Sequence, residues 1–226
     1  MRVVSLVPSA TESLVAWGVD VVACTRFCEQ PGLRRVGGTK DPDVPAIIGL
    51  RPDLVVLDRE ENRLEDADAL IAAGVPLHIT QVTAIEQVDP TLQGMSVAVG
   101  VVPETICIPP ARPIVVRAFV AIWRRPWMTL NANTYGASVL RHLGVGNVFD
   151  DRGERYPVVT LDEVVERAPA LVLLPSEPYP FTERHAREVR AALPHAEVRL
   201  IDGADLFWWG VRTPAALERL GSALGL

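Results

Sequence analysis

Short apolar runs of strand length alternate with helical patterns along the first 90 residues of this 226-residue chain. Runs rich in leucine and β-branched residues predict strands at residues 3–7, 21–25, 54–58 and 76–80. Helical patterns lie between them, at residues 11–17, 44–50 and 64–73. Because strands that alternate with helices form βαβ units, the sequence predicts a mostly parallel sheet covered by helices.

A proline-rich stretch then interrupts the alternation. Residues 89–113 hold five prolines around one helix-compatible run, at residues 91–102. Beyond it, strands are predicted at residues 114–122, 170–174 and 198–201, and helices at 134–143, 161–167, 183–193 and 214–224. The predicted fold class is therefore α/β, with an N-terminal lobe at residues 1–88, a connector with a short backbone helix at 89–113, and a C-terminal lobe at 114–226.

Several helix ends carry recognisable signals. Three Ser/Thr-x-x-Glu sequences have the spacing of a capping box, in which a hydroxyl and a carboxylate satisfy amides of the first turn. They are Ser9 with Glu12, Thr83 with Glu86, and Thr160 with Glu163. Gly18 and Gly74 follow predicted helices, where a left-handed residue is expected to end the helix.

The charge balance excludes two classes of protein. The chain has 22 basic and 28 acidic side chains, a net charge of -6, and no run of more than two basic residues. A nucleic-acid partner is not expected, because no row of cations is available for phosphates. No apolar stretch approaches the ~20 residues of a membrane-spanning helix, so membrane insertion is not expected either.

Cysteine usage and the N-terminal residues bear on the cellular compartment. Cys24, Cys28 and Cys107 are too few, and odd in number, for a disulfide framework. The strand-like residues 3–7 follow Met1 directly, without the pattern of a secretory leader. We therefore expect a cytoplasmic protein as the sequence stands, or a periplasmic or extracellular one if residue 1 is not the natural start.

Aromatic residues are distributed very unevenly. None lies between Phe27 and Phe119, and 11 of the 13 follow the connector. Seven of these lie in three loops that leave predicted strands of the second lobe, beside arginine, glutamate and proline. Because ligands of α/β sheets bind beyond the carboxyl ends of the strands, these loops predict a site for a flat or bulky ligand. The alternative is that the rings close an interface or cover a sheet edge.

Three smaller features leave alternatives open. Cys24 and Cys28 are spaced C-x3-C without a second pair, which favours free thiols over zinc, and Cys28 is the thiol to consider as a ligand or reactive group. Lys40 is the only lysine and follows two glycines, without the order of a phosphate loop. Glu60, Glu61 and Glu177 are either an acid–base set or solvated charges. An α/β enzyme for a phosphorylated or nucleotide substrate therefore remains an alternative to a binding protein.

Several segments resemble substrate-binding proteins for corrinoids and ferric siderophores. These segments are RVVSLVPSATE at residues 2–12, VGGTK at 36–40, IGLRPDLVV at 48–56, GVGNVF at 144–149 and PVVTLDE at 157–163. IWRRPW at 122–127, LPSEPY at 174–179 and WWGVR at 208–212 resemble a signal-less branch of this family, the helical-backbone metal receptors. The resemblance spans nearly the whole chain and implies two α/β lobes joined by a backbone helix.

The resemblance also implies a function. It implies a protein that is not an enzyme, has no intrinsic cofactor, and holds a bulky metal chelate (corrinoid, siderophore or haem-like) or a metal ion between its lobes. A cytoplasmic chelate sensor or chaperone is the related alternative. An ABC permease is the implied partner, although Pro45 and Trp208 stand near the positions where importers carry docking glutamates.

The candidate ligand-binding residues combine the aromatic loops with polar residues at the predicted strand ends. They are Phe27, Cys28, Lys40, Glu61, Asn62, Trp123, Arg124, Arg125, Trp127, Glu177, Tyr179, Trp208, Trp209 and Arg212. The rings are expected to supply apolar and stacking contacts, and the arginines are expected to bind carboxylates or phosphates of the ligand. Cys28, Glu61 and Glu177 are expected to accept hydrogen bonds or to reach a metal.

Overall fold

The computed structural model describes residues 1–226 and contains eleven strands and nine α-helices. The strands are β1 (Arg2–Ser5), β2 (Asp20–Cys24), β3 (Arg34–Arg35), β4 (Leu54–Asp58), β5 (Leu77–Thr80), β6 (Val116–Val120), β7 (Trp127–Met128), β8 (Val145–Asn147), β9 (Val158–Val159), β10 (Leu171–Pro175) and β11 (Glu197–Ile201). The helices are α1 (Pro8–Ala16), α2 (Val44–Gly49), α3 (Leu64–Ala72), α4 (Val88–Val99), α5 (Tyr135–His142), α6 (Leu161–Glu166), α7 (Glu183–Ala192), α8 (Gly203–Phe207) and α9 (Thr213–Leu224).

The strands form two parallel sheets and one small antiparallel pair. The five-stranded sheet has the order β3-β2-β1-β4-β5, and the four-stranded sheet has the order β11-β10-β6-β8. In each sheet all neighbouring strands are parallel. Strands β7 and β9 pair antiparallel on their own. The predicted fold class, α/β with mostly parallel sheets, is confirmed.

The chain divides into two compact units that are not contiguous in sequence. Unit 1 comprises Met1–Val82, Glu86–Ile106 and Trp209–Arg212, and it contains the five-stranded sheet. Unit 2 comprises Thr83–Ile85, Cys107–Trp208 and Thr213–Leu226, and it contains the four-stranded sheet. The lobe boundaries at residues 88 and 113 that the sequence suggests stay a prediction.

The two units have cores of different composition. The core of unit 1 is aliphatic, with the inner strand β4 buried along its whole length. The core of unit 2 contains Phe119, Phe149 and Phe181 among valines and leucines. Strands β4 and β10 each have a neighbouring strand on both sides, and all of their residues are buried, as continuous apolar runs in parallel sheets require.

The helix ends confirm some of the predicted signals and contradict one. Thr160 and Glu163 form the predicted capping box at the start of α6. Gly18 and Gly74 have φ of 71° and 74°, and they end α1 and α3 as predicted. The capping box at Ser9 is wrong, because α1 begins at Pro8 and leaves Ser9 inside the first turn. Proline favours this first helical position, since its fixed φ suits a helix and it has no N–H to satisfy.

Candidate functional site

In unit 1, polar loops leave the carboxyl ends of the neighbouring strands β2, β1 and β4. Phe27 lies in the loop after β2 and is 52% exposed. The guanidinium carbon of Arg26 lies 4.9 Å from the centroid of the Phe27 ring. Arg26 also donates two hydrogen bonds to Asp41, of 3.0 and 2.9 Å, and these lower the pKa of the Asp41 carboxyl. The loop after β2 is thus held to the segment that contains Asp41, and the Phe27 ring stays accessible.

The loop after β4 is held by the side chain of Asn62. Asn62 Nδ2 donates to the carbonyl oxygens of Leu6 and Thr39, at 3.1 and 3.0 Å. Asn62 Oδ1 accepts from the backbone N–H of Asp58 at 2.7 Å. The side chain is buried, and the protein's own backbone occupies its amide. Asn62 therefore joins three chain segments at the edge of the sheet, which leaves little of its surface for a ligand.

Lys40 and Glu61 lie near this loop. Lys40 is exposed, and its Nζ donates to the carbonyl oxygen of Glu60 at 2.6 Å. Glu61 is half-buried. Among the sequence-predicted residues of unit 1, Phe27 and Lys40 are exposed, and Glu61 and Arg212 are half-buried.

A surface depression of about 420 Å³ lies at the carboxyl end of β4. Leu57, Asp58, Leu64 and Ile79 are among the residues that line it. Burial raises the pKa of Asp58, but its carboxylate oxygens accept hydrogen bonds from Thr80 Oγ1 and from a backbone N–H. The only sequence-predicted ligand residue that lines it is Asn62.

The segment Trp209–Arg212 packs on helix α1 within unit 1. Gly210 has φ of 129°, and a Cβ there would meet Ser13 Oγ at 2.4 Å, so only glycine allows this approach. The next residue, Val211, donates its N–H to Ser13 Oγ at 3.2 Å. Arg212 Nη1 lies 3.6 Å from Glu12 Oε2. Arg212 and Glu12 thus form an ion pair, and Trp209 is buried at 3% exposure.

In unit 2, aromatic rings from two strand ends meet. Trp123 follows β6, Tyr179 follows β10, and their rings lie edge to face with centroids 5.4 Å apart. The rings of Tyr179 and Phe181 are 4.8 Å apart, and Phe181 stacks on Trp127 at 6.0 Å with an interplanar angle of 4°. Trp123 is 43% exposed, whereas Trp127 and Tyr179 are half-buried against the core. The rings therefore run from the core of unit 2 to its surface.

Two arginines stand beside these rings. Arg124 Nη2 donates to both carboxylate oxygens of Glu188, at 2.7 and 2.6 Å, and the Arg124 guanidinium carbon lies 5.8 Å from the Trp127 ring centroid. Arg125 is exposed and has φ of 70°, a left-handed conformation that is uncommon for a residue with a side chain. The peptide bond between Arg125 and Pro126 is cis.

The loop after β10 packs closely on the start of α8. Gly203 N–H donates to Ser176 Oγ at 2.9 Å, and a Cβ on Gly203 would meet the backbone nitrogen of Glu177 at 2.5 Å. Glu177 is half-buried and its bond to Pro178 is cis. Trp208 follows the last residue of α8 and is buried.

Sequence reasoning missed Glu188 and His185, both on α7. Glu188 pairs with Arg124, and His185 Nδ1 accepts the backbone N–H of Thr182 at 3.0 Å. The His185 ring also lies 5.4 Å from Tyr179, edge to face. The available signal was the spacing Thr182-x-x-His185, in which a histidine stands where a capping box usually has Glu or Gln.

The structure contains no cluster of three or more His, Cys, Asp or Glu side chains arranged to hold a metal ion. Its helices are too short or too polar for any of them to cross a membrane.

No family model matches the chain. A vitamin B12-binding protein of Yersinia pestis (strain Pestoides F) is 27% identical over 193 residues, which cover 76% of this chain and 69% of the relative. The solved periplasmic vitamin B12 binding protein BtuF of Vibrio cholerae superposes with a TM-score of 0.76 at 20% identity, over 99% of this chain and 96% of that chain.

The periplasmic heme-binding protein RhuT from Roseiflexus sp. RS-1, in its apo form, superposes with a TM-score of 0.80 at 20% identity, over 98% of this chain and 97% of that chain. These relatives are named as binding proteins, and both solved proteins are periplasmic, so they give no support to the expected cytoplasmic setting. The chain therefore has the α/β fold of class III substrate-binding proteins, and the resemblance predicted from its sequence motifs is confirmed.

Proposed function

We propose that this chain is a binding protein for a bulky metal chelate of the corrinoid or haem type. The observation that carries the proposal is the set of aromatic rings at the carboxyl ends of β6 and β10, with Trp123 exposed at its outer end. The similarity to a vitamin B12-binding protein and to a heme-binding protein supports this ligand class. An enzyme for a phosphorylated substrate is not favoured, because the relatives' names describe binding.

The aromatic rings suit a large, flat ligand. Trp123 and Tyr179 present an exposed and a half-buried ring at 5.4 Å from one another, and the stacked pair Trp127 and Phe181 supports them from the core side. A supporting layer of this kind keeps the outer rings in place before a ligand arrives, which lowers the entropy lost on binding. Corrin and porphyrin rings have the broad apolar faces that such a surface binds.

Charged side chains beside the rings suit the periphery of such a chelate. Porphyrins carry carboxylates, and corrinoids carry amides and a phosphate. Exposed Arg125 and half-buried Arg124 are the donors that we propose for these groups in unit 2, and Lys40 is the one that we propose in unit 1. Arginine binds carboxylate and phosphate oxygens in pairs, which fixes the orientation of the ligand as well as adding affinity.

The remaining sequence-predicted residues divide by exposure. Phe27, Glu61, Glu177 and Arg212 keep accessible or half-buried surface and are proposed as ligand contacts. Cys28, Asn62, Trp208 and Trp209 are buried. We assign these four a positioning role, in which each holds the loop that carries its exposed neighbours.

The same proposal includes an extracytoplasmic location and an ABC permease as partner. Its support is the periplasmic setting of the similar solved proteins. Fractionation of the source organism, with an antibody against this protein, tests the location. Recovery only with cytoplasmic markers would contradict it.

Binding is tested by quenching of intrinsic tryptophan fluorescence. The purified protein is titrated with cyanocobalamin, haemin and a ferric siderophore, with correction for light absorbed by each ligand. We expect saturable quenching by one of the three. Trp123→Ala should weaken the binding of that ligand about tenfold, because one stacked ring contributes roughly 1.4 kcal/mol.

The matched control is Trp17→Phe, which changes a tryptophan at the end of α1, away from the carboxyl ends of the strands. It should leave the dissociation constant unchanged. Absence of saturable quenching by all three ligands would contradict the proposed function. Equal affinity of wild-type protein and Trp123→Ala would contradict the proposed site.

A further inference from the structure

Cys24 and Cys28 lie at the two ends of a tight turn after strand β2. Cys24 is the last residue of the strand, and the N–H of Cys28 donates to the carbonyl oxygen of Thr25 at 3.2 Å. This turn brings Cys28 back toward the end of the strand, where the two thiols are close enough for each to shift the pKa of the other. Two thiols on one tight turn have only a short distance to cover before an S–S bond can form.

Polar groups surround both sulfur atoms. Thr11 Oγ1 lies 3.3 Å and Thr25 Oγ1 lies 3.4 Å from Cys28 Sγ. On the other side, the Arg35 guanidinium donates to Cys24 Sγ. The pair therefore lies among hydroxyl groups and a guanidinium, whereas an inert buried cysteine is usually surrounded by apolar side chains.

The two thiols differ in acidity. Hydrogen bonding with Cys24, Thr11 and Thr25 lowers the pKa of Cys28 to about 6, against the opposing effect of burial. The same contact and burial raise the pKa of Cys24. Of the two thiols, Cys28 is therefore the one that loses its proton more readily. A nucleophilic thiolate beside a protonated thiol is the arrangement of a redox-active dithiol.

We propose that Cys24 and Cys28 form a redox-active pair that hydrogen peroxide converts into a disulfide. The oxidant has to be small, because Cys28 is 5% exposed and Cys24 is fully buried. A small peroxide fits this limited access, whereas a bulky disulfide donor does not. A zinc site is not the explanation, because no third ligand joins the pair.

The reaction has two steps. In the first, Cys28 sulfur attacks one peroxide oxygen, an S–O bond forms, the O–O bond breaks, and the departing hydroxide takes up a proton to give water. In the second, Cys24 sulfur attacks Cys28 sulfur, the S–S bond forms, the S–O bond breaks, and the departing hydroxide takes the Cys24 proton. Two thiols and one hydrogen peroxide thus give one disulfide and two waters.

The experiment uses the full chain carrying Cys107→Ser, which removes the exposed third thiol. The folded protein is treated with one equivalent of hydrogen peroxide, quenched with catalase, alkylated with iodoacetamide under denaturing conditions and digested with trypsin. Trypsin cuts after Arg26, between the two cysteines. We expect residues 3–26 and 27–34 to remain joined as one species, lighter than the two peptides together by two hydrogen atoms, and to separate on reduction.

The matched control is Cys24→Ser in the same background, with its fold checked by circular dichroism. It should give no joined species, and Cys28 should instead become a sulfenic acid that dimedone traps. Recovery of both cysteines alkylated after peroxide treatment of the folded protein would overturn the proposal. Conversion of Cys28 to a sulfinic acid without a joined species would overturn it too.

Discussion

The two units share a parallel sheet with loops at its carboxyl edge, but different interactions hold those loops. In unit 1 they are hydrogen bonds and ion pairs, such as those of Asn62 with three segments and of Arg26 with Asp41. In unit 2 they are contacts between rings, from Phe119 through Trp127 and Phe181 to Tyr179. Hydrogen bonds hold a loop by restricting the orientation of the groups that they join, whereas packed rings hold it by filling the space beside it.

This difference bears on which unit determines ligand class. Polar side chains that are already occupied by the protein offer few free groups, so unit 1 presents chiefly Phe27, Lys40 and Glu61. The ring cluster of unit 2 extends to exposed Trp123 without a break. We expect unit 2 to offer a ligand the larger apolar surface, whereas the exposed groups of unit 1 are fewer and more polar.

The largest expected effect on stability comes from the ring cluster's inner end. Phe119 is fully buried and lies edge to face with Phe149 at 5.9 Å and with Trp127 at 6.5 Å. Phe119→Ala should lower the free energy of unfolding by about 4 kcal/mol, because it removes apolar contact and leaves a cavity. Urea unfolding followed by circular dichroism measures this.

The exposed ring of unit 1 provides the comparison for that substitution. Phe27→Ala should change the free energy of unfolding by less than about 0.5 kcal/mol. Equal losses of unfolding free energy for Phe119→Ala and Phe27→Ala would contradict the distinction between a supporting and an accessible ring.

The second effect tests the hydrogen bonds of unit 1. Asn62→Ala removes two bonds to carbonyl oxygens and one from a backbone N–H, all at a buried position. The unfolding free energy should fall by roughly 3 kcal/mol, because the groups left behind are cut off from water. The control is Gln93→Ala, an exposed amide on α4 with one bond to Asp89. A loss at Asn62 as small as that at Gln93 would show that the loop does not depend on Asn62.

The fold was largely predictable from sequence because its main strands are long and apolar. The predicted strand at residues 54–58 coincides with β4, and most other predicted elements differ from the observed ones by one to three residues. Strands β3, β7, β8 and β9 were missed, because two or three residues are too short to show a period. The start of α1 was misplaced, because the pattern Ser9-x-x-Glu12 hid the stronger signal of Pro8.

The candidate site was predictable in its composition but not in its pairings. Rings and arginines at strand ends follow from the sequence once the strands are placed. The partners of Arg124 and Arg212 do not, since Glu188 and Glu12 are 64 and 200 residues away along the chain. The role of Asn62 was hidden for the same reason, because its bonds reach the backbone at Leu6 and Thr39.

A third test asks whether the stacked pair in unit 2 is a single unit of stability. Trp127 and Phe181 are nearly parallel, with centroids 6.0 Å apart. A double-mutant cycle with Trp127→Leu and Phe181→Leu measures this coupling. The loss of unfolding free energy in the double mutant should differ by about 1 kcal/mol from the sum of the two single losses. Strictly additive losses would mean that the rings contribute only through burial, and the contrast with unit 1 would then be one of composition alone.

The smallest expected effect is on the pKa of one histidine in each unit, His78 in unit 1 and His185 in unit 2. Burial lowers the pKa of His78 on β5. Burial also lowers the pKa of His185 on α7, and the positive charges of Arg124 and Arg184 lower it further, against the opposing charge of Glu188. Salt screens charges but not burial, so adding sodium chloride should raise the pKa of His185 and leave that of His78 nearly constant. Titration of the imidazole protons by NMR measures both.

The sign of the stability effect follows from the same shift. A histidine whose pKa is lower in the folded state than in the unfolded state contributes stability above its unfolded pKa of 6.5, and this is lost as the pH falls through the folded pKa. For His185 the structural reason is visible, since only the neutral ring can accept the N–H of Thr182 at Nδ1. His185→Gln, which keeps an acceptor without a titrating group, should therefore flatten the fall in unfolding free energy between pH 7 and 5. An unchanged pH dependence of the unfolding free energy would contradict the capping of α7 by neutral His185.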